Sequence, residues 1–261
     1  MGVVNVTPDS FSDGGRFFSV GAAVEHGLRL AQQGAALIDV GGESTRPGAE
    51  PVGTEEELRR VVPVIERLRA GTTAIISVDT SKPEVMRAAS AAGAGLINDV
   101  RALREPGALA AAAASGCAVC LMHMQGEPRT MQRAPSYADV VGEVRTFLAG
   151  RVAQSLAAEL TPERLVVDPG FGFGKTLEHN LALLRRLGEL AADGPAVLVG
   201  LSRKSMLGTL TERAAGERLY GSVALAVIAA LNGARIIRAH DVAATVEALK
   251  VTAAVQGPVR R

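Results

Sequence analysis

The sequence contains no tryptophan, and aromatic residues account for only 3% of its 261 positions. Apolar residues nevertheless make up 48% of the chain, so the core must be built from alanine, valine, leucine and isoleucine. These side chains favour helices that pack closely on parallel strands, whose buried segments are short aliphatic runs. The length suits one large α/β domain or two small ones and is sufficient for a sizeable core.

Cysteine is also scarce, since only Cys117 and Cys120 occur. Their spacing admits a redox pair or half of a zinc site, but no second pair completes such a site, so buried, unreactive thiols are the favoured interpretation. Without a disulfide framework, the chain fits a reducing compartment. Asp9 and Asp13 stand where a signal peptide would be apolar, and the most apolar stretch, 108–122, is too short to span a bilayer. We therefore expect a cytoplasmic protein that has no membrane partner.

Neither sign of charge is in excess, because 28 basic and 27 acidic residues give a formal net charge of +1. Proteins that attract nucleic acid electrostatically need a basic field, and this chain has none overall. We expect no nucleic-acid partner, and any anion site must be formed locally.

Short aliphatic runs recur along the chain and alternate with stretches of helical spacing. The predicted strands cover residues 2–6, 36–40, 74–78, 96–97, 118–122, 165–167, 196–199 and 235–237. The predicted helices cover 20–33, 55–69, 83–92, 105–114, 137–159, 177–191, 219–232 and 242–255. This alternation, without a break in composition, predicts a single-domain (β/α)₈ TIM barrel. A doubly wound sheet is the alternative, although it would normally have fewer units and a division into domains.

Two sequence signals mark the ends of the predicted helices. Thr54 and Glu57 have the spacing of a capping box before the second helix. Glycines follow four of the predicted helices, where a left-handed C-cap favours glycine: Gly34, Gly93, Gly116 and Gly233.

Polar side chains follow every predicted strand. In strand order they are Asn5, Asp39, Asp79, Asn98 with Asp99, His123, Asp168, Ser202 with Arg203 and Lys204, and Arg238 with His240 and Asp241. Taken singly, each could be a helix cap, a loop hydrogen-bonding group or half of a salt bridge. In a parallel barrel, however, all of these positions meet at the carboxyl-terminal rim, where catalysis takes place. The joint pattern therefore predicts a catalytic face.

A glycine-rich stretch, PGFGFGKT, follows the sixth strand at residues 169–176. Its end fits a P-loop, but Pro169 stands at the first glycine position, so the motif fails. The glycines are better explained as letting the backbone pass close beneath a flat ligand, with Phe171 or Phe173 as an apolar wall.

The polar residues at the rim suggest what kind of ligand the site binds. A nitrogen-rich heterocycle requires both acceptors and donors, and these are offered by Asp79, Asn98, Asp168, Asn5 and Gln125. A carboxylate pairs with an N–C–NH₂ edge through two hydrogen bonds.

Other rim residues suit a phosphorylated substrate. Positive charge for phosphate or carboxylate comes from Arg46, Lys204, Arg238 and His240. Asn5 and Asp39 could present oxygens to Mg²⁺, which prefers few protein ligands together with substrate phosphates. The residues alone thus suggest a diphosphate-bearing heterocycle in a Mg²⁺-assisted reaction.

A set of motifs resembles the dihydropteroate synthase family across nearly the whole chain. In order, they are NVTPDSFSDGG, IDVGGESTRPGA, SVDTSKP, INDV, MHMQG, DPGFGFGK, SRKS and RAHDV. The resemblance implies a (β/α)₈ barrel, usually a homodimer and the target of sulfonamides. It further implies a transferase of folate biosynthesis, which joins 4-aminobenzoate to 6-hydroxymethyl-7,8-dihydropterin diphosphate and gives 7,8-dihydropteroate and diphosphate.

Roles carry over to the positions of this sequence that match the family's motifs. The resemblance assigns the pterin pocket to Asp79, Asn98, Asp168 and Lys204. It assigns diphosphate binding to Asn5, Arg238 and His240, with Asn5 also linked to the Mg²⁺ ion. It assigns the aminobenzoate and sulfonamide region to Thr45, Arg46, Pro47 and Ser202. Catalytic roles would fall to Asp39, Lys204, Arg238 and His240.

Two other functions share parts of this pattern. A corrinoid-linked methyltransferase barrel has a similar acid and amide pocket, but it needs neither the STRPGA loop nor the R-x-H sequence after the last strand. A non-catalytic pterin-binding paralogue would usually show damage in the first or second rim loop, and both motifs are intact here. Family members also usually carry a further segment before the first strand, so we expect a barrel without that N-terminal extension.

Overall fold

The structure is a computed structural model that describes residues 1–6, 20–44 and 50–257. Eight parallel strands form one sheet in the order of the sequence. They are β1 (Gly2–Asn5), β2 (Leu37–Gly41), β3 (Ile75–Asp79), β4 (Leu96–Asp99), β5 (Ala118–Met122), β6 (Leu165–Asp168), β7 (Ala196–Gly200) and β8 (Ile236–Arg238). A parallel bridge between Gly2 and Ala239 joins the first strand to the end of the last, so the sheet closes into the predicted barrel.

The barrel interior is apolar towards the amino-terminal ends of the strands and polar towards their carboxyl-terminal ends. Side chains alternate between the two faces of a strand, and the lower interior layer is a buried cluster of Leu96, Cys120, Val166 and Leu198. Two residues further along the strands, the interior positions are occupied by polar residues such as Asn98 and Asp168. The predicted rim residues are therefore the top layer of the barrel itself, held on rigid strands.

The described helices surround the barrel. They are α1 (Val20–Gln32), α2 (Thr54–Gly71), α3 (Pro83–Ala91), α4 (Ala108–Ser115), α5 (Val140–Ala157), α6 (Leu177–Arg185), α7 (Leu187–Ala191), α8 (Ser205–Thr211), α9 (Leu219–Leu231) and α10 (Val242–Gln256). The helix predicted at 177–191 is divided at Arg186. The short helix α8 was missed by the sequence pattern, because its seven residues are too few to show a clear period.

The capping box predicted at the start of α2 does not form. Gly53, not Thr54, is the N-cap, and no side chain caps the helix. Glu57 is buried instead, with 1% of its surface exposed, and forms an ion pair with Lys82. The Glu57 carboxylate therefore pairs with Lys82, a residue distant in sequence, and does not cap the start of α2. The glycines predicted after α1, α3, α4 and α9 do have positive φ angles, between 73° and 104°.

Both cysteines are free and buried, as predicted. The thiol of Cys117 donates to the carbonyl oxygen of Ala94 at 3.1 Å. Burial, together with the carboxylates of the polar layer above it, raises the pKa of the Cys120 thiol well above its usual value. Both side chains therefore serve as apolar packing groups. In the part of the chain that the structure describes, no helix is long and apolar enough to span a membrane.

Candidate active site

Asp39 lies at the centre of the polar layer. It is completely buried, and it accepts hydrogen bonds from Ser77 Oγ at 2.6 Å and Asn98 Nδ2 at 3.2 Å. The guanidinium Nε of Arg238 donates at 2.7 Å to Asp39 Oδ2, the oxygen that also accepts from Asn98. Arg238 therefore reaches from β8 across the barrel interior to β2. Strands remote from each other in sequence are joined here because each delivers its last inward side chain to the same layer.

Arg238 also binds a second carboxyl group. Its Nη2 donates to Asp79 Oδ2 at 3.2 Å, and Asp79 is 12% exposed in this pocket. Burial and the neighbouring charge of Asp39 raise the pKa of Asp79, although the guanidinium opposes the shift. Because the buried carboxyl groups of Asp39 and Asp79 share one cation, Asp79 retains a proton near neutral pH. Asp79 can therefore donate a hydrogen bond as well as accept one.

Asp168 provides the carboxyl group on the opposite side of the layer. Its Oδ1 accepts the backbone N–H of Gly170 at 2.7 Å. Burial raises the pKa of Asp168 to about 6, against the effect of that hydrogen bond and of the ammonium groups of Lys204 and Lys175. At neutral pH the group is mainly ionised, and its carboxylate faces the pocket.

Lys204 lies beside Asp168 at the mouth of the barrel. Its ammonium nitrogen is 4.2 Å from the centroid of the Phe173 ring, which is the distance of a cation–π contact. Burial lowers the pKa of Lys204 to about 8, although Asp168 opposes this. Phe173 packs against a buried methionine-rich cluster, whereas Phe171 is only 1% exposed and belongs to the core between barrel and helices. Of the two phenylalanines, Phe173 is therefore the one available for the predicted apolar wall.

A buried lysine that the sequence analysis did not assign holds the glycine-rich loop in place. Lys175 Nζ donates to the carbonyl oxygens of Gly170 and Phe173, both at 3.0 Å, and lies 2.9 Å from His123 Nδ1. Burial lowers the pKa of Lys175 to about 7 and that of His123 to about 3, so His123 is a neutral partner. His123 was predicted as a rim residue and is one, but its ring faces this loop.

The loop passes close to the backbone of His123, and this explains why residue 170 is glycine. A Cβ atom at Gly170 would lie 1.9 Å from the carbonyl oxygen of His123, and the φ angle there is +70°. Only glycine fits such an approach.

Ser202 and His240 pair with each other at the end of β7 and β8. The Ser202 hydroxyl lies 3.0 Å from His240 Nδ1 and accepts the backbone N–H of His240 at 3.2 Å. Because Ser202 is only 9% exposed, its hydroxyl is placed to orient the histidine ring.

The remaining predicted residues differ in how far the structure describes them. Asn5 ends β1, is half-buried and pairs in register with Gly41 of β2. Thr45, Arg46 and Pro47 lie outside the described residues. Within the described ranges, no group of three or more histidine, cysteine, aspartate or glutamate side chains is arranged to hold a metal ion.

Asp99 is a rim residue with a structural role. It accepts hydrogen bonds from Ser81 Oγ at 2.5 Å, from Arg101 N at 2.8 Å and from Leu103 N at 2.6 Å. These bonds fix the turn after β4, in which Leu103 has a positive φ angle of 57°. Asp99 therefore has the alternative role of a loop-stabilising group, while its neighbour Asn98 points into the site.

The structure thus brings Asp39, Asp79, Asn98 and Arg238 into one hydrogen-bonded group, with Asp168 and Lys204 facing it and the Ser202–His240 pair at its edge. Two further residues of this region, Ser77 and Lys175, were not predicted from the sequence. Ser77 lies two residues before Asp79 on the same face of β3, so strand alternation could have identified it. Nothing in the local sequence distinguishes Lys175 from a surface lysine.

Comparisons with known proteins agree with this geometry. A family model described as pterin binding enzyme matches residues 1–240. The dihydropteroate synthase of Escherichia coli strain K12 is 56% identical over 254 residues, which cover 97% of this chain and 90% of that protein. The dihydropteroate synthase of Synechocystis sp. is 45% identical over 253 residues, covering 96% of this chain and 88% of that protein.

Solved structures of dihydropteroate synthases share the same fold. The Xanthomonas albilineans enzyme with 4-aminobenzoic acid has a TM-score of 0.93 and 58% identity, covering 98% of this chain and 92% of that one. A structure of the enzyme from that organism in complex with 7,8-dihydropteroate has a TM-score of 0.89 and 55% identity, covering 98% of this chain and 93% of that one. With its barrel, its polar layer and these relatives, the chain belongs to the dihydropteroate synthase family of pterin-binding enzymes.

Proposed function

We propose that the chain joins 4-aminobenzoate to 6-hydroxymethyl-7,8-dihydropterin diphosphate and releases 7,8-dihydropteroate and diphosphate. The observation that carries this proposal is the polar layer, which combines a carboxylate, a carboxyl group with a raised pKa, an amide and an ammonium group. This mixture of donors and acceptors suits a pterin ring, whose edges alternate in the same way.

Asp168 is proposed to bind the N–C–NH₂ edge of the pterin. Among the described residues, only the Gly170 N–H donates to its carboxylate, at Oδ1, so its Oδ2 can take part in a paired interaction with this edge. Asp79, protonated, and Asn98 would pair with ring atoms on the other side. Lys204 would bond to the edge of the ring, because its ammonium already lies against Phe173.

The diphosphate is proposed to bind near Arg238, His240 and Asn5. Arg238 is the last residue of β8, and His240 lies two residues beyond it. Asn5 is the last residue of the neighbouring strand β1, so one anion can contact all three. The absence of a cluster of acidic ligands among the described residues suits Mg²⁺ held by Asn5 together with the oxygens of the diphosphate. When bound, the ion would supply positive charge to the leaving group.

The aminobenzoate would enter from the side of Thr45, Arg46, Pro47 and Ser202. This part of the proposal is supported by the family resemblance and by the complex of the Xanthomonas albilineans enzyme with 4-aminobenzoic acid. The contacts between Ser202 and His240 would link this region to the diphosphate site.

We propose that the leaving group departs before the amine attacks. The bond between the exocyclic methylene carbon and the diphosphate oxygen breaks, and its electron pair leaves with diphosphate. The electron-rich dihydropterin stabilises the resulting cation, and Asp168 and Asp39 place negative charge around it. The amine nitrogen then forms the C–N bond and loses a proton to solvent. No strong general base is needed, and none of the described site residues is placed as one.

A homodimer is proposed on the basis of an exposed apolar surface on α9 and α10. Tyr220 and Leu231 of α9 are 85% and 51% exposed, and Val251 and Val255 of α10 are 62% and 82% exposed. Exposed apolar side chains on two neighbouring helices are typical of an interaction site, and family resemblance favours a second copy of the chain. A cytoplasmic location is proposed as well, supported by the two free thiols.

The proposed reaction predicts that the purified chain releases diphosphate only when both substrates and Mg²⁺ are present. A coupled diphosphate assay measures this, with removal of Mg²⁺ by a chelator and its restoration as the control. Inhibition by a sulfonamide is expected as well. A corrinoid-linked methyltransferase would release no diphosphate, and a non-catalytic paralogue would bind the ring without turnover; either result would refute the proposal.

The pKa of Asp168 predicts a pH dependence of pterin affinity. Below a pH of about 6 the group becomes protonated and loses its paired acceptor geometry, so calorimetric affinity for 6-hydroxymethylpterin should fall tenfold for each further pH unit. Asp168→Asn should weaken binding by about a hundredfold or more and remove this transition. Asp193→Asn, on the exposed surface, is the matched control and should bind as the unmodified chain does. An unchanged pH profile in Asp168→Asn would remove Asp168 from the pocket.

Departure of the leaving group first predicts positional isotope exchange within the diphosphate. The substrate is labelled at the oxygen that links the exocyclic methylene carbon to phosphorus, and it is incubated with enzyme and Mg²⁺ but without 4-aminobenzoate. The label should move to the non-bridging oxygens of the same phosphorus, because the separated diphosphate can rotate before it recombines. Nuclear magnetic resonance of the recovered substrate measures the exchange. Complete retention of the label would instead indicate direct displacement.

The proposed dimer predicts a sedimentation mass of about twice the 26.9 kDa of the chain. Ile228→Glu places a charge on the α9 surface, where the side chain is 42% exposed, and should give monomers. Leu156→Glu on α5, at a position 41% exposed, is the matched control and should leave the mass unchanged. A monomeric unmodified chain, or equal effects of the two variants, would contradict this interface.

A further inference from the structure

Two adjacent rim loops are joined by an ion pair between Arg203 and Asp241, to which the family resemblance gave no role. Arg203 follows β7, and Asp241 follows β8. The guanidinium donates through Nε to Asp241 Oδ2 at 3.0 Å and through Nη2 to Oδ1 at 2.5 Å. This two-bond geometry fixes the relative orientation of the two loops as well as their separation.

The sequence neighbours of this pair are residues of the proposed site. Arg203 stands between Ser202 and Lys204, and Asp241 directly follows His240. The contacts between Ser202 Oγ and His240 form a second link between the same loops. The ammonium proposed to bind the ring and the imidazole proposed to bind the diphosphate are therefore held together through two parallel links.

The backbone of Arg203 has a conformation that only its surroundings can maintain. Its φ angle is +59°, in the left-handed region that residues with a side chain rarely adopt. The Ser222 hydroxyl accepts its N–H at 3.0 Å, and Arg218 Nη1 donates to the carbonyl oxygens of Arg203 and Lys204 at 3.1 and 3.2 Å. A residue with a strained backbone, held beside a site by hydrogen bonds to several neighbours, is typical of an element that positions site residues.

This turn directs successive side chains to different partners. Ser202 faces His240, Arg203 faces Asp241, and Lys204 lies over the ring of Phe173. An ordinary right-handed backbone at Arg203 would turn Lys204 away from this position. The ion pair adds a side-chain restraint to the backbone restraints supplied by Ser222 and Arg218.

We propose that Arg203 and Asp241 are positioning residues, which keep Lys204 and His240 at the separation that a ring-linked diphosphate requires. The proposal rests on the function proposed above for that site. A partly exposed ion pair contributes little to overall stability, and the side chains of Arg203 and Asp241 are 38% and 20% exposed. The pair therefore acts on the placement of the two loops rather than on folding.

The test compares Arg203→Gln with a matched control on another part of the surface. Arg145 makes the same two-bond pair with Asp193, at 2.9 and 2.7 Å and with 39% exposure, between α5 and the segment after α7. We expect Arg203→Gln and Asp241→Asn each to lower kcat/KM for the pterin diphosphate by about tenfold to a hundredfold. Arg145→Gln should leave kcat/KM unchanged, and all three variants should have melting temperatures within about 2 °C of one another.

Additivity distinguishes positioning by the pair from two separate effects. The double variant should lose no more activity than either single variant, because the second change removes a partner that is already lost. An additive loss, or a loss that follows the melting temperature, would overturn the proposal. So would unchanged kcat/KM in Arg203→Gln while the unmodified chain is active.

A binding measurement keeps this test separate from the proposed reaction. Calorimetric affinity for 6-hydroxymethyl-7,8-dihydropterin diphosphate with Mg²⁺, measured without 4-aminobenzoate, requires no complete reaction, and it should fall in Arg203→Gln and not in Arg145→Gln. If the unmodified chain binds this ligand but does not form product from it, the proposed reaction fails while the positioning role is still tested by this difference. Equal affinity in the two variants would refute the positioning role, whatever the assay of turnover shows.

Discussion

The polar layer of the barrel depends on the guanidinium of Arg238, which reaches across the interior to Asp39 and Asp79 at 2.7 and 3.2 Å. Two buried carboxyl groups repel each other, and burial opposes the charge on each. The shared cation permits both to remain inside, while Asp79 keeps a raised pKa. The pocket therefore contains a group that can donate and, in Asp168, a carboxylate that accepts. A heterocycle with alternating donors and acceptors requires such a combination.

The barrel makes this arrangement possible because it separates stability from chemistry. The lower interior layer is packed with aliphatic side chains and a thiol, and the layer above it carries the polar groups. Each polar residue stands at the end of a strand that is hydrogen-bonded to its neighbours, so backbone position is fixed before any ligand binds. The rim loop after β6 is then held by local contacts, those of Lys175 with the carbonyl oxygens of Gly170 and Phe173.

Most of the architecture could be predicted from the sequence, because aliphatic runs and helical spacing recur in a simple alternation. Errors arose where a short segment or a distant partner decided the outcome. Helix α8 has seven residues, too few to show periodicity. Glu57 fits a capping box by spacing, but the nearby ammonium of Lys82 forms an ion pair with it instead. Asp99 stands beside Asn98, yet three donors turn it to the loop.

The sequence by itself determined the order of strands and helices, the rim position of the site residues and, through its motifs, the family. These properties follow from local periodicity and from the rule that parallel strands all end at one rim. Only the tertiary structure decided which residues bond to each other and which carboxyl group holds a proton. The pairing of Arg238 with Asp39 joins residues 199 positions apart. Burial and neighbouring charge, which set the pKa of Asp79, exist only once the barrel has closed.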